Sequence, residues 1–283
     1  MKIFSSFMLF MLLALGVTAQ EQCDTITVFM IGDSTMANKP LKDENQERGW
    51  GQMLPMMLQG KIRVDNHAVN GRSSRSFINE GRWDKVIEKM GKGDYLIIEF
   101  GHNDEKPGEK RHTDPGSTFD DNLRMFAQKA LEKGATPILM NSIVRRNFPA
   151  SVTEKAEDRD DNPPTAVGPT KNKEEGDILV DTHGAYLISP RTVAAELGTP
   201  FVDLNALTHC LVQSLGREKS KELFMWIPAN TYKFCPDGKI DNTHLNIYGG
   251  KVVAAIAAKA IAETVPEFKQ YVKPGILSLP TIK

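Results

Sequence analysis

The sequence predicts an α/β domain in which a parallel sheet is covered by helices on both faces. Short apolar, β-branched runs at residues 26–31, 62–69, 95–100, 136–140 and 201–204 read as strands. Between and after them, residues 50–59, 83–90, 119–133, 185–197, 205–215 and 247–264 carry apolar side chains at three-to-four spacing and read as helices. Several of these stop near Gly60, Gly91, Gly134, Gly198 and Gly216, where a helix end favours glycine. Strand-helix alternation of this kind makes parallel neighbours, because each return to the sheet is carried by a crossover helix. In such sheets ligands gather beyond the carboxyl ends of the strands.

Taken in order, the first strand ends abruptly in Gly32-Asp33-Ser34, and the second leads to Asn70-Gly71-Arg72. The third ends in Gly101-His102-Asn103-Asp104, so three polar groups emerge at one end of the expected sheet. Residues 149–182 are rich in Asp, Glu, Lys, Asn and Pro and read as a long surface excursion. A second polar insertion at 227–239, with Pro228 and Pro236, leads into Asp241-Asn242-Thr243-His244 and is placed to wall a cleft.

With 283 residues and 40% hydrophobic content, the chain can bury one substantial core. Residues 1–19 show the charged, apolar and small-residue order of a secretory signal peptide, leaving one domain at 20–283 and a secreted or periplasmic location. Removing them deletes Lys2 and no acid, moving the formal charge from −1 to −2. No clustered basic surface marks a nucleic-acid partner, and no other segment is apolar enough to remain in a membrane once the signal is removed. Three scattered cysteines fit one bridge, Cys210 to Cys235, as well as three separate thiols. HExxH, Walker and GxGxxG patterns are absent, and no metal or cofactor is implied.

The chemistry points to a nucleophile. A serine hydroxyl attacks poorly until a base takes its proton, so Ser34 needs an imidazole, and His244 is the best candidate. Asp241, three residues earlier, can reach the other ring nitrogen and fix the tautomer. His102 is read as structural and hydrogen-bonded, and His67, His112, His183 and His209 have still weaker claims to the base. Asp33 and Asp104 are read as loop-fixing acceptors of backbone N–H groups, and Ser73, Ser74 and Ser76 as loop caps.

These blocks, in this order, resemble the SGNH (GDSL-like) hydrolase superfamily. Gly32-Asp33-Ser34-Thr35-Met36, Asn70 through Phe77 and Glu99-Phe100-Gly101-His102-Asn103-Asp104 look most like its rhamnogalacturonan acetylesterases. The resemblance implies a three-layer α/β/α sandwich with a five-stranded parallel sheet in flavodoxin-like order. It also implies an oxyanion hole made by the backbone N–H groups of Ser34 and Gly71 and the side-chain amide of Asn103. The implied activity is that of a secreted serine esterase removing acetyl groups from a plant cell-wall polysaccharide, rhamnogalacturonan or a related pectin. The alternatives are an exported esterase acting on xylan, peptidoglycan or lipid esters, and a non-catalytic carbohydrate-binding protein. Arg72 and Arg75, directly after Gly71, stand between two roles: gripping the carboxylates of an acidic polymer, or tying their own loop to nearby acids and carbonyls.

Overall fold

In the computed structural model, which describes residues 25–149 and 177–280, five parallel strands form the central sheet. They are β1 (Ile26–Gly32), β2 (Ile62–Asn66), β3 (Tyr95–Glu99), β4 (Thr136–Met140) and β5 (Phe201–Val202). Their spatial order, β2-β1-β3-β4-β5, is flavodoxin-like, and its switch point lies between β1 and β3. The helices are α1 (Trp50–Met53), α2 (Ser74–Asn79), α3 (Arg82–Ile87), α4 (Thr118–Glu132), α5 (Ser189–Leu197), α6 (Leu204–Lys219) and α7 (Ile247–Thr264).

Strand side chains alternate between two cores. Val28 and Met30 of β1, Ile97 of β3, and Ile138 and Met140 of β4 face one side, against Trp50 of α1, Val212 of α6 and Val253 and Ala257 of α7. Phe29, Ile31, Leu96, Ile98 and Leu139 face the other, against Phe77, Trp83, Val86 and the α4 residues Phe119, Leu123 and Phe126. Because both faces are covered, the inner strands β1, β3 and β4 read as nearly continuous apolar runs, whereas the edge strand β2, Ile62–Asn66, is only half-buried and carries Arg63, Asp65 and Asn66. This is the expected three-layer sandwich.

The structure departs from the sequence reading in several places. Residues 50–59 are one turn of α-helix followed by a 3-10 turn, Leu54–Met57, with Pro55 near its start. Pro55 has no N–H to continue the ladder. A short helix, α2, follows the Gly71 loop, and Ser73 caps it: its hydroxyl accepts from Ser76 N while the Ser76 side chain accepts from Ser73 N. The segment read as an insertion at 227–239 instead joins two antiparallel strands, β6 (Phe224–Ile227) and β7 (Lys239–Leu245). Cys210 and Cys235 are both free, so the bridge is not formed; one sits within α6 and the other in the β6–β7 connection. Cys23, residues 1–19 (read from the sequence as a signal peptide) and most of the 149–182 excursion lie outside the described residues. No described helix is long and apolar enough to cross a membrane.

Candidate active site

The switch point brings the motifs together. At the end of β1, a Cβ on Gly32 would lie 2.6 Å from the Glu99 carbonyl oxygen, so glycine is what lets β1 and β3 pair here. The chain then turns sharply, with Asp33 Oδ1 accepting from both the backbone N–H and the hydroxyl of Thr35 at 2.9 Å. Ser34 is thereby presented outward. Its Oγ donates to His244 Nε2 at 2.9 Å, and His244 Nδ1 donates to Asp241 Oδ2 at 2.7 Å.

Asp241 and His244 lie on the same strand, β7, and the other Asp241 oxygen accepts from the backbone N–H groups of Thr243 and His244, both at 2.9 Å. One carboxylate therefore shapes the local backbone and holds the imidazole. Burial alone would raise this carboxyl, but the His244 hydrogen bond and charge, joined by Lys239, outweigh it and hold Asp241 well below the usual carboxylate range.

Three donors face the space beside Ser34. The backbone N–H groups of Ser34 and Gly71 meet no acceptor among the described residues. Asn103 spends one amide N–H on the Arg72 carbonyl at 3.3 Å, which leaves the second. Gly71 has φ of +73°, and nothing lies within 4 Å of where its Cβ would be. Its backbone conformation, not crowding by the protein, calls for glycine. A hydroxyl polarised by an oriented imidazole, next to three uncommitted donors, can attack an ester carbonyl and stabilise the resulting oxyanion.

Around these groups runs a chain of charges that the sequence did not disclose. Lys239 bridges Asp241 at 3.0 Å and Glu47 at 3.1 Å, Glu47 binds Lys39 at 2.7 Å, and the Lys39 ammonium donates to Asn70 Oδ1 at 2.6 Å. The loop carrying Gly71 is thus tied to the His244 support. These residues come from segments far apart in the chain, with no spacing that would reveal them. On the opposite side, Arg145 and His183 both grip Glu105, at 2.5 and 3.0 Å.

Near Ser34 lie buried carboxyls. Burial drives Glu99 well above its ordinary value, and the neighbouring Asp33 adds to this; Trp50 Nε1 donates to Glu99 Oε2 at 2.9 Å. Asp33 is also raised by burial, against the hydrogen bonds from Thr35. Asp104 fixes the Gly71 loop by accepting from Ser74 N at 3.0 Å and Ser74 Oγ at 2.5 Å, as well as from Thr113 Oγ1 at 2.8 Å. Burial nonetheless lifts it to about 7.

Three of the sequence assignments need amending. His102 is buried, but neither ring nitrogen finds a hydrogen-bond partner among the described residues; the ring packs edge-on against His183, and burial keeps its pKa well below the ordinary value. Arg72 donates to Glu80 at 3.1 Å and to the Asn70 carbonyl at 3.0 Å, and Arg75 reaches the Glu109 carbonyl at 3.4 Å. Arg72 is spent within its own loop and on Glu80 at the end of α2, Arg75 on the connection between β3 and α4, and neither lines the cleft. The cleft itself has a volume of about 280 Å³ and is lined by Ser34, Gly71, Asn103 and His244. Past His244 it adjoins a groove of about 930 Å³ walled by Trp226, Pro228 and Ile240 from the β6–β7 hairpin. Among the described residues no group of three or more His, Cys, Asp or Glu side chains is arranged to hold a metal ion.

A fold of this order with a serine, imidazole and carboxylate at its switch point defines an ester-hydrolysing class, and residues 30–246 match the GDSL-like lipase/acylhydrolase family. The chain belongs to that family and is a carboxylic ester hydrolase. Over 84% of its length it is 38% identical to rhamnogalacturonan acetylesterase RhgT of Bacillus subtilis, covering 90% of that protein. It is 27% identical to the rhamnogalacturonan acetylesterase of Emericella nidulans over 83% of this chain and 84% of that one. The crystal structure of Bacillus subtilis YxiM superposes with a TM-score of 0.64 at 25% identity, covering 84% of this chain and 56% of that longer one.

Proposed function

We propose that the protein is an exported serine acetylesterase that removes O-acetyl groups from rhamnogalacturonan or a closely related pectin. The observation that carries this reading is the continuous contact from Asp241 through His244 to Ser34, next to three free donors in a cleft open to substrate. The likeness to two rhamnogalacturonan acetylesterases supports the substrate.

In this mechanism Ser34 Oγ attacks the acetyl carbonyl as His244 Nε2 takes its proton, and the carbonyl electrons move onto oxygen. The Ser34 and Gly71 N–H groups and the Asn103 amide receive that oxyanion. Collapse breaks the bond to the sugar oxygen, which leaves with the proton from His244. Water then adds to acetyl-Ser34, giving its proton to His244, and acetate departs as Ser34 Oγ regains a proton. Asp241 remains ionised throughout and stabilises the imidazolium.

The test is acetate release from acetylated rhamnogalacturonan, xylan and peptidoglycan at equal acetyl concentration, with wild type and Ser34→Ala. Rhamnogalacturonan should give the highest kcat/KM, and Ser34→Ala should release nothing. Turnover by Ser34→Ala would remove the nucleophile assignment, and preference for xylan or peptidoglycan the substrate.

A further inference from the structure

The cleft around Ser34 carries positive charge that no described residue neutralises. Besides His244, the charged side chains lining it are Glu47, Lys106, Arg111 and Arg145. Glu47 is matched by Lys39 and Lys239, and Arg145 by Glu105 at 2.5 Å. Lys106 and Arg111 are half-buried, yet among the described residues neither has an ion-pair partner or a side-chain hydrogen bond. Half-burying two cations of like sign without a counter-charge costs free energy that an anionic ligand would recover.

The backbone that carries them is held in place. Both lie on the connection between β3 and α4, the segment that also presents Asn103. That loop is closed on itself where Thr113 N donates to the Asp104 carbonyl at 3.1 Å and Thr113 Oγ1 to the Asp104 carboxyl at 2.8 Å. The Tyr186 hydroxyl clamps it from outside by donating to the Thr113 carbonyl at 2.5 Å. The two cations are therefore held on the same rigid loop as the oxyanion donor.

We propose that Lys106 and Arg111 form a subsite for the carboxylate of an acidic sugar residue, the residue whose acetyl ester reaches Ser34 or its chain neighbour. This rests on the polysaccharide acetylesterase reading above. A uronate carries its carboxylate on the same ring as the hydroxyls that bear acetyl groups. A cavity of about 280 Å³ is small enough that ester and carboxylate enter it together. Arg111 offers a planar fork for both carboxylate oxygens, and Lys106 a compact charge. A neutral sugar offers either cation hydroxyl acceptors but no counter-charge.

The test compares an acetylated galacturonate oligosaccharide as the free acid with its methyl ester, which keeps the shape and removes the charge. Wild type should prefer the free acid by roughly a hundredfold in kcat/KM, about tenfold for each of two hydrogen bonds to a charged group. Lys106→Gln and Arg111→Gln should each cut that preference roughly tenfold through KM, and the double variant should abolish it along with the salt dependence of KM. Equal losses on acid and ester would overturn the subsite, since a merely structural role affects both alike. A wild type that deacetylates both forms equally also overturns it while leaving the acetylesterase reading standing. If wild type hydrolyses nitrophenyl acetate but neither sugar, the polysaccharide reading fails and the subsite with it.

Discussion

Replacing Asp241 by Asn isolates what its charge contributes. Asn keeps the Oδ1 atom that accepts from the backbone N–H groups of Thr243 and His244, so the β7 backbone has no reason to move. What changes is the atom facing His244 Nδ1 at 2.7 Å. At that separation and an effective dielectric of about 20, the carboxylate stabilises the imidazolium formed during attack by about 6 kcal/mol. An amide N–H in the same position also forces the ring proton onto Nε2, where it can no longer accept from Ser34. Together these give an expected fall in kcat of roughly 10⁴-fold with KM nearly unchanged. The assay is nitrophenyl acetate hydrolysis across pH, with thermal melting as a control on the fold. A loss below tenfold would refute the reasoning, as would a comparable loss traced to a much lower Tm.

Two further outcomes follow from the same geometry. Asn103→Ala should lower kcat roughly 10²–10³-fold through the lost oxyanion donor, measured by steady-state kinetics on any acetate ester; a rise confined to KM would mean that Asn103 binds the ground state. Stability should fall as pH rises. Asp104 titrates at about 7 in the folded chain, against roughly 3.9 unfolded, so the folded form keeps a proton that the unfolded chain has released. Its contribution is complete below the unfolded value and lost as pH climbs through the folded one, and Asp33 and Glu99 shift in the same direction. The lowered groups, Asp241, Glu47 and Glu105, contribute fully above the ordinary carboxylate range and lose this only in acid. Tm should therefore decline between pH 5 and pH 8, less steeply in Asp104→Asn; a flat or rising profile in wild type would contradict the assignment.

The central sheet was legible because both of its faces are buried. Residues 26–31, 95–100 and 136–140 could be read as strands without knowing which way any side chain pointed. The site was legible where chemistry coincided with a strand end, as at Ser34 and Asn103, or with short spacing, as between Asp241 and His244. The hairpin was not. Phe224–Ile227 is an apolar run of only four residues, and Lys239–Leu245 mixes polar and apolar side chains without a clean alternation. The Lys39–Glu47–Lys239 chain joins charges from two loops and a strand, and ordinary surface charges look the same in sequence. Arg72 in the Gly71 loop and Arg75 in α2 stood close to the site but do not line the cleft, because Glu80 and backbone carbonyls claim their guanidinium groups.

The division of the site between two sheets has a consequence for how activity is lost. Ser34, Gly71 and Asn103 lie on loops of the five-stranded sheet, whereas His244 and Asp241 both ride on β7, in a separate two-stranded ribbon. Two-stranded ribbons have little stability of their own. This one is rooted by Phe224, Met225 and Leu245 in buried positions, by Arg48 N–H on the Leu245 carbonyl and by an isolated bridge between Glu47 and Asn246. Subglobal opening of that ribbon withdraws imidazole and carboxylate in one event and leaves the large sheet closed. Inactivation on heating should accordingly run ahead of the melting of the core.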